Sequence, residues 1–155
     1  MEQLAFIVTQ ELGKLAKWLR ILGFDCVYFS KKKEADLIIQ ALRDKRILVT
    51  RKAEHAKHKG IRIVVIKHDY VEEQMEQLVK KLDLGLKENN FFRRCVECNT
   101  LLEDIEKEKI KQKVPDYVFR TQNFFKRCPD CGKIFWQGTH WDMVGKWLSE
   151  KGLKK

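Results

Sequence analysis

The chain has 155 residues, 44% hydrophobic and 35% charged, which gives enough apolar material for a core and excludes a chain disordered by composition. Lys and Arg number 32 against 22 Asp and Glu, a formal net charge of +10 that points, weakly by itself, to a polyanionic partner. The longest apolar runs, Leu4 to Val8 and Ile63 to Ile66, are far shorter than the ~20 residues of a membrane span, and no signal-peptide pattern follows Met1, so a cytoplasmic protein without membrane contact is expected.

Leu4-Ala5-Phe6-Ile7-Val8 reads as a short buried strand. Leu12, Leu15, Ala16, Leu19 and Leu22 then recur at spacings of three and four, one face of a helix that Gly23 stops. Cys26-Val27-Tyr28-Phe29 gives a second strand, and Ala35, Ile38, Ile39 and Leu42 a second helix. Ile47-Leu48-Val49 is a third strand, followed by a short helical turn near Ala53 and a fourth strand from Ile61 to Ile66. Val71, Met75, Leu78, Val79 and Leu82 mark a strongly periodic helix. Continuous apolar strands alternating with amphipathic helices predict an α/β fold: a parallel sheet covered on both faces, with ligands at the carboxyl ends of its strands. No Gly-rich phosphate loop follows the first strand, which leaves a dinucleotide-binding fold without support.

After Gly85 the pattern changes, dividing the chain into an α/β unit over 1–86 and a second unit over 90–155. The second holds Cys95-x-x-Cys98 and, after 29 intervening residues, Cys128-x-x-Cys131, around a charged insertion from Glu103 to Lys113. Two pairs at one spacing suit four thiolates around a structural Zn²⁺, and Asn99 and Gly132 tolerate the positive φ such turns need. With the shell complete, His140 is assigned to the start of the last helix, His55 and His58 to solvated surface, and Cys26 to the core. That helix, Trp141 to Lys151, reads as capped by Thr139 with Asp142 as the acidic third residue.

Several segments together resemble the Mut-seven C-terminal ribonuclease domain family. They are Phe6-Ile7-Val8, Leu12-Gly13-Lys14-Leu15-Ala16-Lys17-Trp18-Leu19-Arg20-Ile21-Leu22-Gly23-Phe24-Asp25, Arg46-Ile47-Leu48-Val49-Thr50-Arg51, the Gln77-Leu78 helix and Arg94-Cys95-x-x-Cys98-Asn99-x-Leu101. Val114-Pro115, Cys128-Pro129-x-Cys131-Gly132-Lys133 and Trp136-x-Gly138-Thr139-His140-Trp141 continue the likeness almost to the end of the chain. The resemblance implies a PIN-like nuclease fold with a zinc ribbon, whose acidic side chains hold Mg²⁺ or Mn²⁺ for attack of water on an RNA phosphodiester. Two positions depart from that pattern: Thr9 stands where the first strand would end in Asp, and Lys52 where Asp would complete Thr-Arg-Asp. Asp36 matches an acidic position of the second helix.

A hydroxyl and an ammonium in place of two carboxylates favour phosphate over a divalent cation. The expected function is therefore RNA binding with weak or no cleavage. One alternative is an active Mg/Mn-dependent endoribonuclease using Asp36 with Glu11, Asp25 or Asp69; another is a protein-interaction adaptor. Lys14, Lys17, Arg20, Arg51 and Lys52 are expected around the mouth of the site, whereas the run from Lys31 to Lys33 reads as a solvated loop. Arg93, Arg94, Lys126 and Arg127 follow Phe91-Phe92 and Phe124-Phe125, whose rings could stack bases although at least half of them should be buried. Trp136, Trp141 and Trp147 are assigned to packing.

Overall fold

The computed structural model describes residues 4–30 and 33–152. Strands β1 (Ala5–Val8), β2 (Asp25–Tyr28), β3 (Ile47–Thr50) and β4 (Ile63–Val65) form a parallel sheet in the order β2-β1-β3-β4. The step from β1 to β2 runs one way across the sheet and the step from β2 to β3 runs back. Right-handed crossovers then put α1 (Gly13–Ile21) and α2 (Glu34–Arg43) on opposite faces.

The two-residue period of the strands feeds both faces. Phe6, Val8, Ile47, Val49 and Val64 meet α1 and α3 (Val71–Leu82), while Ile7 and Leu48 meet Leu37 and Ala41 of α2. This is the doubly covered parallel sheet expected from the sequence. The direction of travel reverses between β1 and β3, and in such sheets the crevice for a ligand opens at that point, beyond the carboxyl ends.

Gly23 ends α1 with φ +96°, and its N–H donates to the Arg20 carbonyl at 3.0 Å. An added Cβ would strike the backbone carbonyl of Asn90, so space and torsion both require glycine. Gly23→Ala is expected to lower stability by about 2–4 kcal/mol, read as an earlier urea midpoint at unchanged m-value.

The second part is a three-stranded antiparallel sheet, β5 (Glu103–Ile105), β6 (Phe125–Arg127) and β7 (Ile134–Phe135), in the order β5-β6-β7. One face is closed by α4 (Asp116–Thr121) and by Ile110, in a small core with Val114, Val118 and Phe125. The charged stretch from Glu103 to Lys113 thus contributes a strand and a fully buried isoleucine. Helix α4 was not expected; its six residues bury a single side chain, Val118, too little for a periodic signal.

The last helix, α5 (Thr139–Glu150), returns to the first core, where Val144, Trp147 and Leu148 are buried and Trp147 meets Trp18 edge to face at 5.1 Å. Gly138 is its N-cap, correcting the assignment of that position to Thr139: the backbone turns helical one residue earlier. The side chains of Thr139, His140 and Trp141 lie outside those described. Among the described residues no helix is long and apolar enough to cross a membrane.

Candidate functional site

The two cysteine pairs fold as congruent turns. Asn99 N–H donates to the Cys95 carbonyl at 2.9 Å and Gly132 N–H to that of Cys128 at 2.8 Å. Cys95 N–H donates to Thr100 O at 2.8 Å and Cys128 N–H to Lys133 O at 3.0 Å. Each turn passes through a left-handed residue, Asn99 at φ +66° and Gly132 at φ +78°.

All four sulfurs lie within 4.8 Å of one another, and those of Cys95 and Cys131 are 3.8 Å apart. Four thiolates arranged tetrahedrally around a metal at ~2.3 Å have edges of ~3.8 Å. As thiols the group is crowded. The bond to Cys131 pushes Cys98 up to about 12; burial raises Cys95; the backbone N–H of Lys133 lowers Cys131. A divalent cation displaces these protons and offsets the charge of four thiolates. The cluster can therefore hold one metal ion such as zinc, with every tetrahedral position supplied by protein. Cys26 stands apart: fully buried, its thiol is pushed up to about 12 by desolvation, as suits an inert core residue.

The first turn is fastened to the parallel sheet. Arg20, expected at the RNA site, is only 8% exposed, and its guanidinium donates to the carbonyls of Cys26 (2.9 Å), Val96 (2.7 Å) and Glu97 (3.2 Å). It lies four residues after Ala16 on the buried stripe of α1, so it faces inward and clamps the two residues between Cys95 and Cys98. Arg20→Met keeps the hydrocarbon stem but leaves those carbonyls unpaired. The expected cost is about 3 kcal/mol in urea unfolding, with faster metal loss to a chromogenic chelator.

The Asn99 side chain accepts from Cys26 N–H at 3.0 Å and donates to Asp25 Oδ1 at 2.7 Å, covering part of the open edge of β2. Asp25 also accepts two bonds from Arg46, at 2.8 and 3.3 Å. Burial pushes its pKa up, but Arg46 and Asn99 outweigh that, leaving it below the usual carboxylate range. Asp25 opens β2 and so sits at the amino end of the sheet, away from Asp36. The structure does not bring these two candidate acids together.

At the carboxyl end, Thr9 follows β1 with its hydroxyl buried and, among the described residues, unpartnered. Beside it, Thr50 ends β3. His55, in the 3-10 turn Ala53–Lys57, is only 2% exposed, which corrects its assignment to solvated surface. The turn carries the imidazole inward, placing Nδ1 2.7 Å from Thr50 Oγ1 and Nε2 against the carboxylate of Glu34 in the first turn of α2. An ionised carboxylate only accepts, so Nε2 carries a proton; in the neutral imidazole Nδ1 then accepts from the Thr50 hydroxyl. That oxygen accepts in turn from Lys52 N–H at 3.1 Å. Glu34 and His55 were missed as a pair because a histidine among lysines carries no periodic signal; the only hint is its position five residues beyond the end of an apolar strand.

The remaining candidates divide by end. Glu11, Lys14, Asp36, Arg51 and Lys52 follow the carboxyl ends of strands; Glu11, Lys14, Arg51 and Lys52 are exposed and Asp36 half-buried. Arg51 donates to His68 O at 2.9 Å and to Asp69 at 2.6 Å, so Asp69 is already paired. Lys17 meets Glu97 at 3.7 Å, and Arg94 donates to Asn99 O at 2.9 Å. On the ribbon, Lys126 and Arg127 lie 3.9 and 4.0 Å from Asp104 and Glu103, and Arg93 donates to Asn90 at 3.0 Å. Lys31 and Lys32 lie outside the described residues. Among the described residues, the four cysteines are the only group of three or more side chains able to share a metal.

No curated protein and no solved structure is a significant match to the chain. The family model of the Mut7-C RNAse domain matches residues 4–148, which span the parallel sheet, both cysteine turns and most of α5. With the strand-helix order and the four-cysteine centre both in place, the chain belongs to the Mut7-C RNAse domain family.

Proposed function

We propose that this protein is a zinc-stabilised, cytoplasmic RNA-binding member of its family, whose sheet-end crevice takes RNA phosphate in place of a catalytic divalent cation. The observation that carries this reading is the fate of the acids around the crevice. Thr9 and Lys52 replace two of them, Glu34 is bound to His55, Asp69 is bound to Arg51, and Asp25 lies at the opposite end of the sheet. Glu11 and Asp36 remain, and they belong to no group of three among the described residues. Divalent cations need several converging oxygens, and Mg²⁺ an almost ideal octahedron. Lys14 and Lys52 instead supply positive charge for phosphate oxygens, which fixes a strand in place without reading its bases. Four free thiols in close array suit the reducing cytoplasm, where zinc rather than a disulfide is the stable outcome.

The test is titration of fluorescent single-stranded RNA with the zinc-loaded chain, with and without Mn²⁺. Binding is expected to weaken with salt at a log–log slope of about −1.4, as two phosphate contacts on a single strand imply. Lys52→Glu should weaken it at least tenfold, and Mn²⁺ should leave the RNA intact. Mn²⁺-dependent cleavage abolished by Asp36→Ala, or no binding at low ionic strength, would overturn the proposal.

A further inference from the structure

The ribbon sheet has a second face. Asp104, Lys126 and Phe135 are paired across β5, β6 and β7, so they lie side by side on the face turned away from Phe125 and α4. Asp104, Lys126 and Phe135 line a groove of ≈540 Å³ together with Phe91, Phe92 and Phe124, and Phe125 and Trp136 reach it from the other side of the sheet. A smaller hollow of ≈260 Å³ continues it between Phe91–Phe92 and α5. Of the two phenylalanine pairs noted in the sequence, Phe91 and Phe125 are buried, Phe92 is half-buried, and Phe124 is 87% exposed. A phenyl ring that exposed contributes little to the ribbon core; its aromatic face is available to a ligand.

We infer that this groove receives unpaired bases of single-stranded RNA and favours those with an exocyclic amino group. The inference rests on the RNA-binding reading above. The volume lies within the roughly 300–1,000 Å³ of sites that enclose small planar ligands. Aromatic walls stack any base, which supplies affinity without sequence preference.

The charge of the groove sets the rest. Glu88, Asp104 and Glu106 line it with Lys107 and Lys126, so the lining carries −1 in a chain of +10. Phosphates are therefore kept off its floor and left to the lysines, while the bases point inward. There they meet the acceptor-only carboxylates of Glu88, Asp104 and Glu106, with the side-chain amides of Asn123 and Gln137, which accept as well as donate, beside them. Cytosine offers these groups its amino donor; uracil presents a carbonyl oxygen at the same place. Phe92 N–H donates to the Ile21 carbonyl at 2.8 Å, which seats the groove at the far end of α1 from Lys14 and Lys52. The strand thus has a phosphate grip and a base grip at opposite ends of one helix.

Fluorescence anisotropy of labelled octacytidylate and octauridylate, with the zinc-loaded full chain at low salt, tests this. The cytidine strand is expected to bind at least fivefold more tightly. Phe124→Ala should weaken it about tenfold without moving the melting temperature, and Phe124→Trp should restore it. If Phe124→Ala binds both strands like the parent chain while Lys52→Glu still weakens binding, the groove is refuted and the sheet-end reading stands; a groove that serves a peptide would give this result. Equal affinity for the two strands refutes the amino preference. No binding of either strand overturns both readings.

Discussion

Stripping the metal is expected to unfold the ribbon while the parallel sheet stays folded. Strands of three, three and two residues, over a core of Ile110, Val114, Val118 and Phe125, are too small a unit to stand alone. Structural zinc on thiolates contributes an apparent ~10–16 kcal/mol, far more than such a core. The parallel sheet has its own contacts on both faces and needs no sulfur. Hydrogen exchange after chelation should therefore accelerate strongly at amides of Phe125–Arg127 and Ile134–Phe135, with Phe6–Val8 still protected. Cys128→Ser should reproduce the pattern without a chelator. The first turn should retain partial protection, because Arg20 and Asn99 hold it against α1 and β2 independently of the metal. Unchanged exchange in the ribbon after metal removal would show that the four sulfurs only happen to be close.

The second large effect is a gain. Thr9→Asp combined with Lys52→Asp supplies the two acids that the family resemblance implies at the crevice between β1 and β3. Position 9 is only 6% exposed, so an unpaired carboxylate there is costly, by several kcal/mol when nothing offsets its charge. Without divalent cation the double variant should melt roughly 5–10 °C below the parent chain. Millimolar Mn²⁺ should recover most of that loss, since a ligand at a hundred times its dissociation constant stabilises by about 2.7 kcal/mol. The parent chain should not respond to Mn²⁺. An equal shift in both proteins would mean that Glu11 and Asp36 already gather a cation, and the catalytic reading would return.

The sequence told more about the frame than about the orientation of individual side chains. Apolar runs and three–four spacings located every strand of the parallel sheet and its long helices, because burial on two faces leaves a strong pattern. The spacing of the cysteines announces the four-thiol cluster in the same direct way. Asp25 shows what such reading lacks: a second strand beginning at Cys26 already puts it at the amino end, but nothing in linear order brings Arg46 and Asn99 to take it up there. Arg20 shows a misplaced default. The sequence reading sets this cation at the mouth of the RNA site although its place on the apolar stripe, four residues beyond Ala16, marks it as internal. His55 and Glu34 meet only after α2 and the turn behind β3 have been laid beside each other, a juxtaposition set by the crossover and absent from local pattern.

The division of the metal ligands between two cores bears on how the molecule is made. Cys95 and Cys98 are held by α1 and β2, which are synthesised first, whereas Cys128 and Cys131 come after 29 intervening residues, on the ribbon. A growing chain can thus present a preformed pair of thiols while the second pair is still in the ribosome. Capture of a metal ion by these four thiols would then be a two-step event, with arrival of the last cysteine committing the C-terminal portion to its final arrangement.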